Sequence, residues 1–216
     1  MLVSHSKKIA VHFNPKTGSQ SLYNFFLGCG LDVCVFSSGH ETFDEEGYSL
    51  YAFYRNPVDR FVSAVNHVRK VQKHIELHIY EKVNNVSISA EEAEVAYGKS
   101  PSENPYKVPV SGWIDFLQNI RQTSNSEIYN QTLVSFRDQI EWLDKENLTL
   151  LNFHDIDNEV IKLATAFGVT PNSLPHSNKS VDGILVSDLI EEEINKIKQY
   201  HQKDIEFFNN RNISFS

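Results

Sequence analysis

Lys8-Ile9-Ala10-Val11-His12-Phe13-Asn14-Pro15-Lys16-Thr17-Gly18-Ser19-Gln20-Ser21-Leu22 is the stretch from which the fold follows. Lys8 to Phe13 is short and apolar, and Asn14-Pro15 ends it, the pattern of a buried strand running into a turn. Helical periodicity starts at Ser19: Leu22, Phe25, Phe26 and Cys29 fall on one face, and Gly28 and Gly30 supply the stop. A strand that passes through a loop directly into a helix aims backbone N–H groups and the positive helix end at one point, so Pro15 to Ser21 reads as an anion cradle. Gly18 lets the backbone close on a ligand, Lys16 adds a point charge, and Ser19 and Ser21 offer hydroxyls to phosphate-type oxygens.

Working outward, Asp32 to Phe36 and Ser49 to Tyr54 read as the next strands, the latter ending against Arg55-Asn56-Pro57. Pro57 suits the first turn of a helix that the apolar positions Phe61, Val62, Val65, Val68 and Val71 carry toward residue 82. Residues 84–112 are rich in Asn, Ser, Gly and Pro and read as a surface excursion or acceptor-site lid, with a short helix at Ala90 to Ala96. Beyond them come a helix at Trp113 to Ile120, a mixed stretch at Glu127 to Asp144, a strand at Leu148 to Phe153, a helix at Asp157 to Phe167 and a long terminal helix at Ser187 to Asn209. Strands alternating with helices predict a single α/β domain over 1–216, with a mostly parallel central sheet flanked by helices on both faces.

Bulk chemistry narrows the partners. The 216 residues carry 20 Lys and Arg against 28 Asp and Glu, a net charge of −8. That sign argues against gripping nucleic acid over a wide surface, so a polyanionic ligand must meet a local basic patch. Cys29 and Cys34 form neither a disulfide framework nor a zinc set and read as two buried thiols. With no apolar run of signal-peptide or membrane-spanning length, the expectation is a cytoplasmic protein, bacterial or in a virus-infected host cell, or a luminal one if the chain is a trimmed piece. His74 and His78 lack the HExxH pattern, and no metal is predicted. The helix bearing Arg69, Lys70, Lys73 and His74 offers a cationic face, which as a rule is solvated.

Two motifs together carry a resemblance. Pro15-Lys16-Thr17-Gly18-Ser19-Gln20-Ser21 after the first strand resembles the 5′-phosphosulfate loop of sulfotransferases that use 3′-phosphoadenosine 5′-phosphosulfate (PAPS). Tyr54-Arg55-Asn56-Pro57-Val58-Asp59-Arg60-Phe61-Val62-Ser63-Ala64 is similar to that family's 3′-phosphate motif. The resemblance implies a P-loop-like three-layer sandwich. It assigns Lys16, Thr17, Gly18, Ser19, Gln20, Ser21, Arg55 and Ser63 to the cosubstrate, with 3′,5′-adenosine bisphosphate as product. Asp59 and Arg60 read as structural. Gln20 departs from the usual Thr, and Val65 from a common aromatic.

The same resemblance implies in-line transfer of the sulfuryl group to a hydroxyl, with an amine as second choice, on a carbohydrate or related small acceptor. Lys16 would stabilise the leaving phosphate oxygen. His40, in Ser38-Gly39-His40 after the second strand, is the candidate base, because glycan-modifying members carry a Gly-His there. Glu41, Asp44 and Glu45 are the substitutes, and the loop at Pro175 to Ser180 resembles a late stretch of carbohydrate sulfotransferases. The rival readings are a P-loop kinase, which the absent GxxxxGK[ST] disfavours, and a non-catalytic nucleotide- or glycan-binding module.

Overall fold

A computed structural model describes residues 1–29, 33–35, 43–100, 103–122, 133–170 and 183–215. The described strands are β1 (Leu2–Ser4), β2 (Ile9–His12), β3 (Val33–Val35), β4 (Ser49–Tyr54) and β5 (Leu148–Asn152). The described α-helices are α1 (Ser19–Gly28), α2 (Pro57–Val71), α3 (Lys73–Asn84), α4 (Ala90–Gly98), α5 (Val110–Gln122), α6 (Ile140–Leu143), α7 (Ile156–Phe167), α8 (Glu191–Tyr200) and α9 (Gln202–Asn209). The chain forms two compact units, one of Met1–Arg55 with Asp138–Lys179 and one of Asn56–Arg137 with Ser180–Ser216.

The first unit holds a five-stranded sheet in the order β3-β1-β2-β4-β5. β2, β4 and β5 pair in parallel, with Ile9 opposite Ser49 and Leu50 opposite Leu148. β1 runs antiparallel to both β2 and β3, so the sheet is mixed rather than mostly parallel. The reason lies in the first residues: a tight turn at His5 to Lys8, with Lys8 at φ 53°, folds Leu2–Ser4 back on β2, and a connection this short permits only antiparallel pairing.

Alternation along the strands divides the apolar side chains. Leu2, Ile9, Val11, Phe53 and Leu151 pack with Leu22, Phe25 and Phe26 of α1 and with Val160, Leu163, Ala164 and Phe167 of α7. Val3, Ala10 and Leu50 point the other way and meet Met1, Phe43, Tyr48 and Leu148. Cys34 is exposed and Cys29 half-buried, not the two buried thiols expected. Cys34 sits on β3, which stands at the end of the strand order among the described residues.

In the second unit, Phe61, Val65, Val68, Ile79, Trp113, Ile114, Leu117, Phe136, Ile197 and Tyr200 build one core. The helix expected to run to residue 82 is broken at Gln72 (φ −125°, ψ 48°) into α2 and α3. Around the break Arg69 turns inward: Nε donates to Glu76 Oε1 at 2.8 Å and Nη2 donates to the Val108 carbonyl. Both Arg69 and Glu76 are buried. Lys73 Nζ donates to the carbonyls of Tyr97 and Lys99 at 2.6 Å each, tying the end of α4 to α3. Of the predicted cationic face, Lys70 and His74 are exposed. α4 begins with a capping box between Ser89 and Glu92, which gives the 84–112 stretch a defined helix. The expected terminal helix is likewise two helices, parted at the buried His201 (φ −102°, ψ 31°). Among the described residues, no helix is long and apolar enough to cross a membrane.

Candidate anion-binding site

The loop between β2 and α1 closes on itself. Thr17 Oγ1 donates to the Asn14 carbonyl at 2.6 Å, and the Thr17 N–H donates to the same oxygen at 3.3 Å. Thr17 is buried, and its donors serve the turn. Lys16 (φ 68°) and Gly18 (φ 74°) lie in the left-handed region, which costs a non-glycine residue such as Lys16 about 1–3 kcal/mol. Gly18 is also required by space. A Cβ there would stand 2.7 Å from Phe153 Cε2 and 3.2 Å from Ile156 Cδ1.

Gly18 occupies the N-cap of α1, so no side chain caps the helix, and its first turn contains no acid. The backbone donors at Ser19, Gln20 and Ser21 precede the first intrahelical bond, which Leu22 N–H makes to the Gly18 carbonyl at 3.0 Å. An uncapped helix start of this kind favours an anion. Ser19 is half-buried and Ser21 buried, while Gln20 is exposed and donates through Nε2 to Asn24 Oδ1 at 3.2 Å.

Two cations adjoin this helix start. Arg55, one residue beyond the end of β4, donates from Nη1 to the Lys16 carbonyl at 3.1 Å and lies 4.9 Å over the ring of Phe153. Burial, reinforced by the Arg55 guanidinium beside it, pushes the Lys16 ammonium down to about 8. Lys16 is half-buried and has no carboxylate partner among the described residues. Anion binding should therefore be strongest below about pH 8 and weaken above it, since only the protonated amine attracts the ligand. Titrations of 3′,5′-adenosine bisphosphate from pH 6 to pH 9 should show affinity level at first, then falling by up to about tenfold per pH unit. Lys16→Met should remove that fall.

One residue that the sequence did not single out holds these parts together. Gln139, fully buried, accepts through Oε1 from Asn14 Nδ2 at 2.9 Å and from the Arg55 N–H at 3.0 Å. Its Nε2 donates to the Arg55 carbonyl at 2.8 Å.

Of the acidic substitutes for the base, Glu45 Oε1 accepts from Lys145 Nζ at 2.6 Å and lies 3.2 Å from His12 Nε2. Asp44 accepts from the Glu46 N–H at 3.0 Å. His40, Glu41 and the Pro175 to Ser180 loop lie outside the described residues. Burial first, then the Lys145 charge, push the His12 imidazole down to about 4, against the opposing pull of Glu45. A base depressed in the folded state contributes stability that is complete above its ordinary value of 6.5 and is lost as pH falls toward 4, because the unfolded chain takes the proton first. Chemical denaturation across that range should show declining stability, and His12→Gln should flatten the decline.

Ser63 belongs to the second unit, half-buried on α2, whose start is capped by the Asn56 side chain accepting from the Val58 N–H at 2.9 Å. Arg60 is fully buried and donates to the carbonyls of Ser135, at 3.0 Å, and Arg137. It thus serves the core of that unit.

No protein-family model, curated protein or solved structure matches the chain.

Proposed function

We propose that this chain is a PAPS-dependent sulfotransferase built on a P-loop-like α/β sandwich, acting on a hydroxyl of a carbohydrate or related small acceptor. The observation that carries the reading is the uncapped, acid-free start of α1 beside Lys16, an ammonium with no carboxylate partner among the described residues, with Arg55 tied to the same loop. Positive charge gathered on an acidic chain suits a ligand bearing several negative oxygens. The strand-end placement of Arg55 suits a 3′-phosphate, and Ser63 enters through the sequence motif.

In the proposed reaction the acceptor oxygen attacks sulfur in line as the bond from sulfur to the 5′-phosphate oxygen breaks. Charge grows on that leaving oxygen, where Lys16 and the N–H groups of α1 would stabilise it. The acceptor proton passes to His40. The products are the sulfated acceptor and 3′,5′-adenosine bisphosphate, and no redox partner is required.

Sulfur-radiolabelled PAPS incubated with the protein and a panel of oligosaccharides tests this reading. Label should move to an acceptor without added metal, and His40→Ala should suppress the transfer. Phosphate transfer from ATP and Mg²⁺ in its place would establish a kinase. Bisphosphate binding without turnover would leave a binding module.

A further inference from the structure

We infer that Gln139 is a positioning residue for the anion site, setting the main chain of Arg55 and through it the guanidinium; the inference rests on the proposed binding of a nucleotide anion. Gln139 is fully buried, and its amide is used on both sides. Oε1 accepts from the Arg55 N–H while Nε2 donates to the Arg55 carbonyl, a two-point bracket on a single residue. These two bonds fix which way the Gln139 amide faces, because the N–H needs an oxygen and the carbonyl needs a donor. Asn14 must then present Nδ2 to the shared Oε1, which leaves the buried Asn14 Oδ1 without a hydrogen-bond partner among the described residues.

A buried acceptor left unsatisfied is costly, so the bracket is kept at a local expense. What it secures is geometric. Arg55 follows the last residue of β4, where the ladder with β5 ends at Tyr54 opposite Asn152, so the sheet no longer fixes the Arg55 backbone. Gln139 supplies the two hydrogen bonds that a neighbouring strand would have made. The same Oε1 reaches Asn14 at the root of the cradle, so one side chain ties the base of the anion loop to the base of the arginine. With its backbone held, Arg55 extends Nη1 to the Lys16 carbonyl and lies over Phe153. Gln139 bonds to the Arg55 main chain and to Asn14, and so acts through Arg55.

A double-mutant cycle on the full chain tests this. Affinities for 3′,5′-adenosine bisphosphate and for inorganic pyrophosphate are measured by calorimetry in wild type, Gln139→Met, Arg55→Ala and the double variant, below each protein's melting transition. Positioning predicts that Gln139→Met weakens bisphosphate binding on the order of tenfold when Arg55 is present and by less than about twofold when it is absent. Gln139→Asn keeps the amide but withdraws it by one methylene. It should show the same dependence on Arg55 and serves where Gln139→Met fails to fold. Equal losses with and without Arg55 would mean that Gln139 is merely structural and would overturn the inference. Should wild type bind pyrophosphate but not the bisphosphate, the nucleotide reading fails and the pyrophosphate cycle decides the role of Gln139. Wild type that binds neither anion overturns both.

Discussion

Glu76→Ala should lower the unfolding free energy by about 3–5 kcal/mol, the usual cost of stranding one partner of a buried ion pair. Glu76 Oε1 accepts from Arg69 Nε at 2.8 Å and from the Val108 N–H at 3.2 Å. Side-chain exposure is 9% for Arg69 and 2% for Glu76, so water cannot take over either contact. The substitution leaves a guanidinium charge and a main-chain donor without their acceptor. Replacing both residues by apolar ones, Arg69→Met with Glu76→Leu, should recover much of the loss because no uncompensated charge remains. Urea unfolding of wild type and the two variants measures this. A single-variant loss below about 1 kcal/mol would mean that the pair behaves as an exposed one.

Gly18→Ala should damage both stability and the anion site. Its Cβ would meet Phe153 Cε2 at 2.7 Å, and the residue would also have to adopt φ +74°. The left-handed conformation costs roughly 1–2 kcal/mol and displacing the Phe153 ring about 1–3 kcal/mol more. Phe153 carries the Arg55 guanidinium on its face, so the displacement reaches a proposed ligand contact. Gly47 provides the control, with φ +75° and open space where a Cβ would lie. Gly47→Ala should show the conformational cost alone and leave bisphosphate binding unchanged. Equal losses of stability and affinity in the two variants would show that the contact with Phe153 carries no weight.

The elements that sequence reading located are those whose signal is local. β4 spans Ser49–Tyr54 as expected, and β5 and α7 begin within a residue of their expected starts. In each, burial imposes a period on consecutive residues. β1 escaped because three residues before a polar turn carry too little pattern. The break at Gln72 escaped because neither Gly nor Pro marks it and the apolar positions of α2 and α3 read as one continuous stripe. Arg69 reads as a solvated charge in any local window, and its burial depends on Glu76 and the Val108 carbonyl.

Within the site, the glycine at the tight approach, the lysine beside the helix start and the arginine at a strand end were legible from the two motifs. Gln139 was not. Its partners Asn14 and Arg55 lie 125 and 84 residues away, and an amide in a polar stretch carries no signal of such distant company.

In the proposed function, the cradle at Pro15 to Ser21 serves a nucleotide phosphorylated at both the 5′ and 3′ positions. Parallel calorimetric titrations with 3′,5′-adenosine bisphosphate and with ATP plus Mg²⁺ test it most directly. The bisphosphate should bind in preference, and Arg55→Ala should cost about 1.5–3 kcal/mol of that binding, the worth of a charge-assisted contact. Preference for ATP, or bisphosphate binding that survives Arg55→Ala unchanged, would contradict the account.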